Sequence, residues 1–177
     1  MVDLKGGAVV ELEDVYKHYM NDLYRYLYSL SKNHHVAEDL VQEAFYRAYL
    51  TLADYEINNI KAWLFKVAYH AFIDHQRKNK KTIVTDEIKE NVDMRENTPE
   101  SKMLEKESFL LLMEDLKCLK EIEKQAVLLC DLNEFSYQEA AEILNIKLNT
   151  LKSHISRGRK KLVERVKERM NLDERRA

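Results

Sequence analysis

Turn-forming residues are scarce in this chain, whose 177 residues include three glycines and one proline. That is too few to punctuate the many short strands of a β-sandwich or barrel. Leu, Glu, Lys and Ala are abundant instead, and these strong helix formers predict an all-α fold. Cysteine is rare too. Cys118 and Cys130 lack a short C-x-x-C spacing and lie in or beside apolar helical runs, so they are expected as buried free thiols in a reducing compartment rather than as a zinc or disulfide site. No apolar run approaches the roughly 20 residues that cross a bilayer, and no N-terminal stretch suits secretion, so the expected location is cytoplasmic. A formal charge of −2 excludes a uniformly basic protein. The length allows one ordinary domain or two small ones with modest cores.

Charge is unevenly placed. Residues 120–177 carry 13 Lys/Arg against 10 Asp/Glu, and 147–170 alone carry nine against two. A localised positive patch is what a polyanionic partner needs, whatever the total charge.

Apolar spacing predicts a first helix over about 12–31 from Leu12, Val15, Tyr16, Tyr19, Leu23, Tyr26, Leu27 and Leu30. A second covers about 35–53, with Val36, Leu40, Val41, Ala44, Phe45, Ala48 and Leu52. A third covers about 60–79, with Ile60, Leu64, Val67, Ala68, Ala71 and Phe72. Three such stripes bury one another as a small bundle. From Lys81 to Pro99 the run "KTIVTDEIKENVDMRENTP" loses its stripe and turns acidic, which marks a linker between a domain at 1–80 and one at 100–177, with Pro99 suited to a helix start. Helices follow over about 100–119, 121–132, 137–144 and 148–169.

In "FSYQEAAEILNIKLNTLKSHISRGRKKL", Ser136 is placed to cap a short helix with Glu139 as its capping-box partner. Asn145 tolerates the left-handed conformation a tight turn demands. On the following helix Leu148, Leu151, Ile155, Leu162 and Val166 face inward, and Gly158 permits close approach on the same side. The opposite face presents Asn149, Ser153, Ser156, Arg157 and Lys160, with Lys152, His154, Arg159 and Lys161 at its margins. Short polar groups flanked by cations suit a recognition helix in a DNA major groove; a charged helix facing water is the plainer alternative. Ser136 and Tyr137 either approach the DNA backbone or serve as cap and packing residues.

The third helix interleaves Lys61, Lys66, Arg77, Lys78, Lys80 and Lys81 with Trp63, Phe65, Tyr69 and Phe72, and Tyr55 precedes it. Cations hold a nucleic-acid backbone while an exposed aromatic stacks on an unpaired base; Phe72 is expected in the core instead. The loop "ADYEINN" is placed to present groups to an extruded base, although Asn58 and Asn59 suit a turn equally well. Glu38, Asp39, Gln42 and Glu43 make an acidic surface, which repels phosphate and suits a protein partner.

The runs "AEDLVQEAFYRAY", "KAWLFKVAYHAFIDHQRK" and the 135–162 motif, in this order and separation, resemble the compact extracytoplasmic-function sigma factors of bacterial RNA polymerase, over approximately 12–168. The resemblance implies that the N-terminal domain binds core polymerase and the promoter −10 element and that the C-terminal helix-turn-helix domain binds the −35 element. By motif correspondence Asp39, Gln42 and Glu43 contact the polymerase β′ clamp. Asp54, Tyr55, Asn58, Asn59, Trp63, Lys66, His70, Asp74 and Arg77 serve −10 recognition and melting. Asn149, Thr150, Lys152, Ser153, His154, Ser156, Arg157 and Lys160 serve the −35 element. It further implies an anti-sigma partner, often membrane-associated, and neither a catalytic residue, a metal nor a cofactor. Departures from the family pattern are Asn145 and Asn149 where Gly is common, His154 for Arg, His70 for Asn and Lys120 for Pro.

A DNA-binding regulator without a polymerase role is the competing reading; it explains the 135–162 motif but not "DLVQEAF". A metal enzyme built from His18, His34, His35, His70, His75 and His154 lacks a convincing ligand set, a phosphate loop and a nucleophile-base arrangement.

Overall fold

The computed structural model describes residues 12–52, 57–82 and 100–174, with side chains over 12–52, 57–79 and 107–171. All regular structure among them is helical. The chain divides into two compact units, Met1–Ile88 and Lys89–Ala177.

The first unit holds α1 (Leu12–Ser31), α2 (His34–Leu52) and α3 (Ile60–Thr82), each packed on the other two. Polar side chains set the helix starts. Asn33 Oδ1 accepts the Val36 N–H at 3.0 Å, and Asn59 Oδ1 accepts the Ala62 N–H at 3.0 Å, each satisfying a donor that has no partner within its helix. Between α1 and α2 the chain turns at Lys32, whose φ is 55°.

The core centres on Leu23, Tyr26, Leu27, Leu64, Phe65, Ala68 and Phe72, all 2 % exposed or less, with the Tyr26 and Phe65 rings 5.2 Å apart. Two expectations from spacing are corrected. Tyr16 is 45 % exposed, although its ring edge meets Phe45 at 4.9 Å. Tyr28 and Phe65, outside the expected stripes, are buried. Because α3 packs on both α1 and α2, its buried arc is wider than one stripe and takes in Phe65 beside Leu64. The helix also continues to Thr82, past its expected end near Asn79.

The second unit opens with α4 (Glu100–Asp115), a 3₁₀ turn over Leu116–Cys118, and α5 (Glu121–Val127), which widens into a π turn over Leu128–Leu132. The π turn closes with the Asn133 N–H on Leu128 O at 3.0 Å, and Asn133 Nδ2 donates to the same oxygen at 2.8 Å. Then come α6 (Tyr137–Leu144) and α7 (Leu148–Glu174). The expected capping box is present: Ser136 Oγ accepts the Glu139 N–H and Glu139 Oε2 accepts the Ser136 N–H at 2.9 Å. α6 ends in a Schellman motif, with Asn145 at φ 53°, its N–H on Glu142 O and the Ile146 N–H on Ala141 O.

Leu116, Leu128, Leu129, Ile143, Leu151 and Ile155 fill this core. Gly158 lies in the α5–α7 seam, where a β-carbon would stand 2.9 Å from Val127 Cγ2 and 3.3 Å from the Glu123 carbonyl oxygen. The expectation of buried thiols is corrected: Cys118, at the end of the 3₁₀ turn, is exposed and Cys130 half-buried. Partial burial pushes the Cys130 thiol up to about 11.

Candidate nucleic-acid interface

The capping box and Schellman turn fix where α7 begins, and its buried residues Leu151, Ile155 and Gly158 fix its rotation. Asn149, Thr150, Lys152, Ser153, Ser156, Arg157 and Lys160 are therefore exposed, and His154 is half-buried at their edge. Ser153 Oγ donates to Asn149 O at 3.0 Å. Arg157 Nη2 donates to His154 Nδ1 at 3.0 Å, and Arg157 Nε lies 3.4 Å from Glu123 Oε1.

The basic run divides into two sets. Arg159 is held against Asp131, Nε donating at 3.0 Å and Nη2 closer still, while Nη1 donates to the Tyr137 hydroxyl at 3.0 Å. These bonds raise the Arg159 pKa, the Asp131 hydrogen bond most of all. Lys161 Nζ donates to Glu123 Oε2 at 2.6 Å. Asp115 receives Arg169, and Arg165 lies 3.9 Å away. These four cations hold α7 to the rest of its unit; Lys152, Arg157 and Lys160 are also exposed cations of this helix. Glu123 is central to the arrangement. Its carboxylate, 3 % exposed, also accepts the Lys120 N–H at 3.2 Å, a bond that a proline at this position could not donate. The Lys161 hydrogen bond, outweighing desolvation, holds its carboxyl below the usual range.

Spacing alone does not reveal Glu123, Asp131 and Asp115, since each lies on another element. Nor does it show that Tyr137 is engaged by Arg159 within the unit. The usable signal is a run of cations with too few acids beside it in sequence.

In the first unit Trp63, Lys66, His70, Asp74 and Arg77 follow one another three or four residues apart along one face of α3. Lys66, Asp74 and Arg77 are exposed, Trp63 and His70 half-buried, and Arg77 Nη1 is 3.7 Å from Asp74. Asn58 is exposed, and Asn59 caps the same helix. Asp54 and Tyr55 lie outside the described residues.

On α2 Asp39 and Gln42 are exposed, and Glu43 pairs with Arg47 at 2.7 Å. Tyr46, Tyr49 and Leu50 continue that face and are 60 %, 61 % and 49 % exposed. The spacing argument missed this acidic-aromatic strip; the signal was an aromatic pair on α2 outside its core stripe. Among the described residues no cluster of three or more His, Cys, Asp or Glu has a metal-binding arrangement, and His34 instead lies 2.6 Å from the Tyr24 hydroxyl and 3.2 Å from Glu38.

Residues 15–82 match the family model for sigma-70 region 2, and 109–162 match that for sigma-70 region 4. The chain is 38 % identical over 152 residues to the ECF RNA polymerase sigma factor SigM of Bacillus subtilis, covering 85 % of this chain and 92 % of that protein. Among solved structures, it resembles that of the sigma factor RpoE with the anti-sigma factor NepR from Bartonella quintana: TM-score 0.62, 26 % identity, 88 % of this chain and 98 % of the other. The fold is also similar to that of CnrH in complex with the cytosolic domain of CnrY, with TM-score 0.64, 20 % identity and 92 % and 91 % of the two chains. The unqualified cytoplasmic location expected from sequence is corrected: membership of this family does not by itself set a compartment. Among the described residues no helix is long and apolar enough to cross a membrane.

Proposed function

The chain belongs to the ECF sigma factors, which direct RNA polymerase to promoters, and on that premise we propose how its surfaces divide the work. Catalysis is the polymerase's; this chain supplies specificity. Residues 1–80 dock on the β′ clamp of core polymerase through Asp39, Gln42 and Glu43, joined by the exposed Tyr46, Tyr49 and Leu50. The loop at 54–59, with Asp54, Tyr55, Asn58 and Asn59, and the α3 face of Trp63, Lys66, His70, Asp74 and Arg77 take the −10 element. There an unstacked base gains roughly 1–3 kcal/mol from an aromatic or polar pocket.

Residues 100–177 bind the −35 element. Asn149, Thr150, Ser153 and Ser156 approach base edges while Lys152, Arg157 and Lys160 meet phosphates and bases, with His154 at the edge of this surface. The acidic stretch 81–99 links the two and passes near the polymerase's nucleic-acid channels. An anti-sigma factor, like those bound to the related chains, masks one or more of these surfaces.

One observation supports the division most strongly: on α7, Arg159, Lys161 and Arg169 have carboxylate partners on other elements of the unit, whereas the exposed Lys152 and Lys160 have none among the described residues. Core polymerase given this chain and a randomised promoter library is expected to yield run-off transcripts from a restricted set of −10 and −35 sequences. Transcription without sequence preference, or no gain over core alone, rejects the proposal.

A further inference from the structure

Arg157 and Arg159 flank Gly158 on α7 and are held in different ways. Arg159 has Nε and Nη2 on Asp131 and Nη1 on Tyr137, so all three nitrogens are engaged. Arg157 is engaged along one edge. Nε and Nη2 form the side edge of the planar guanidinium; on this edge Glu123 Oε1 lies 3.4 Å from Nε and His154 Nδ1 3.0 Å from Nη2. These are its interactions among the described residues, and its side chain is 55 % exposed.

Two chemical consequences follow. A guanidinium only donates, so His154 Nδ1 accepts and the neutral ring carries its proton on Nε2. With the side edge occupied, the terminal edge, Nη1 with the second hydrogen of Nη2, faces away from both partners. Two parallel donors match the O6 and N7 acceptors of guanine in the major groove.

Resting on the reading of α7 as the −35 helix, we propose that Glu123 and His154 are positioning residues: together they present the terminal edge of Arg157 to a single guanine of the −35 element. Glu123 is suited to the task because Lys161 at 2.6 Å and the Lys120 N–H at 3.2 Å immobilise its carboxylate. His154 is suited because it lies one turn from Arg157 on the same helix. Neither residue needs to touch the base. The charged groups facing this site are Arg157 on α7 itself, Glu123 on α5 and Lys161 one turn further along α7.

The test uses holoenzyme assembled from core polymerase and the full chain, selecting duplexes randomised across the −35 region. Arg157→Ala first marks the guanine position that depends on Arg157. Glu123→Gln and His154→Ala are each expected to lower guanine discrimination at that position at least about fivefold, the low end for one bidentate contact, leaving other positions unchanged. Neither should add to the loss in an Arg157→Ala background. Lys161→Met, which releases the Glu123 carboxylate, is expected to lower guanine discrimination as well. Arg159→Ala, which breaks the pair with Asp131 without touching Glu123, controls for stability: it should lower the melting temperature and keep the guanine preference.

If the wild-type holoenzyme selects no −35 sequence, the sigma reading of α7 fails and this proposal with it. If it selects one but both variants keep the guanine, or all positions degrade alike, the positioning role alone is overturned. Correctly folded His154→Ala decides the matter if Glu123→Gln unfolds.

Discussion

Glu123 and Lys161 meet across the α5–α7 seam with Oε2 and Nζ 2.6 Å apart, although the carboxylate is only 3 % exposed. The Lys161 hydrogen bond, outweighing the opposing desolvation, depresses the folded-state pKa of Glu123 below its ordinary 4.5. A depressed acid contributes stability that is fully present above the unfolded value and disappears as pH falls through the folded one. Thermal unfolding of the second unit should therefore lose stability below about pH 4.5, and Glu123→Gln should flatten part of that loss. An unchanged acid limb in the variant counts against the pair.

Arg159 and Lys160 are sequence neighbours in different surroundings: Arg159 is paired with Asp131, and Lys160 is exposed. Lys160→Ala should reduce the salt dependence of promoter binding by about one counterion. Arg159→Ala should leave that slope alone and cost about 1 kcal/mol of unit stability, since the ion pair with Asp131 is partly solvated. Binding titrated over several salt concentrations, alongside melting curves, separates the two; a shallower slope in Arg159→Ala would mean that its guanidinium reaches DNA.

Gly158→Val should destabilise the second unit by about 2 kcal/mol through overpacking, roughly 10 °C in melting temperature for a unit of this size. The added carbons enter a space where Val127 Cγ2 and the Glu123 carbonyl already stand 2.9 and 3.3 Å from a β-carbon. Calorimetry or circular dichroism melting reads this directly, and a wild-type melting temperature would show that α7 shifts without cost.

The α2 surface offers a separate test of polymerase docking. Asp39→Arg and Tyr46→Ser are each expected to weaken core polymerase binding about tenfold, the effect of losing roughly 1.4 kcal/mol, with no change in melting temperature because both side chains are exposed. Competition against wild-type chain for limiting core polymerase measures it. Equal competition removes this strip from the interface.

Elements whose signals are local were readable from the residues. The Ser136–Glu139 box, the left-handed Asn145 and the close approach at Gly158 each depend on a few adjacent side chains, and the structure has all three. Fold class was readable for the same reason, from helix formers and 3.6-residue spacing. Interactions between elements were not. Arg159, Lys161 and Arg169 look alike to a charge count, yet their acids are Asp131, Glu123 and Asp115, separated from them by 28, 38 and 54 residues. Likewise Phe65 seemed one of several interleaved aromatics, and only the third helix's contact with two neighbours puts it in the core. The 54–59 loop was readable as a candidate, but Asp54 and Tyr55 fall outside the described residues.

Asp115 closes the second unit in a way that bears on how its DNA-reading end moves. This one carboxylate, at the end of α4, has Arg169 bonded to it and Arg165 within 3.9 Å, both toward the far end of the longest helix. Together with the Gly158 seam it fixes the C-terminal half of α7, as the buried Leu151 and Ile155 fix the turns that carry the exposed polar face. One continuous helix joins these anchors, so a change of tilt at one end is carried to the other. Weakening the Asp115 latch should therefore loosen the grip of the opposite end on the groove.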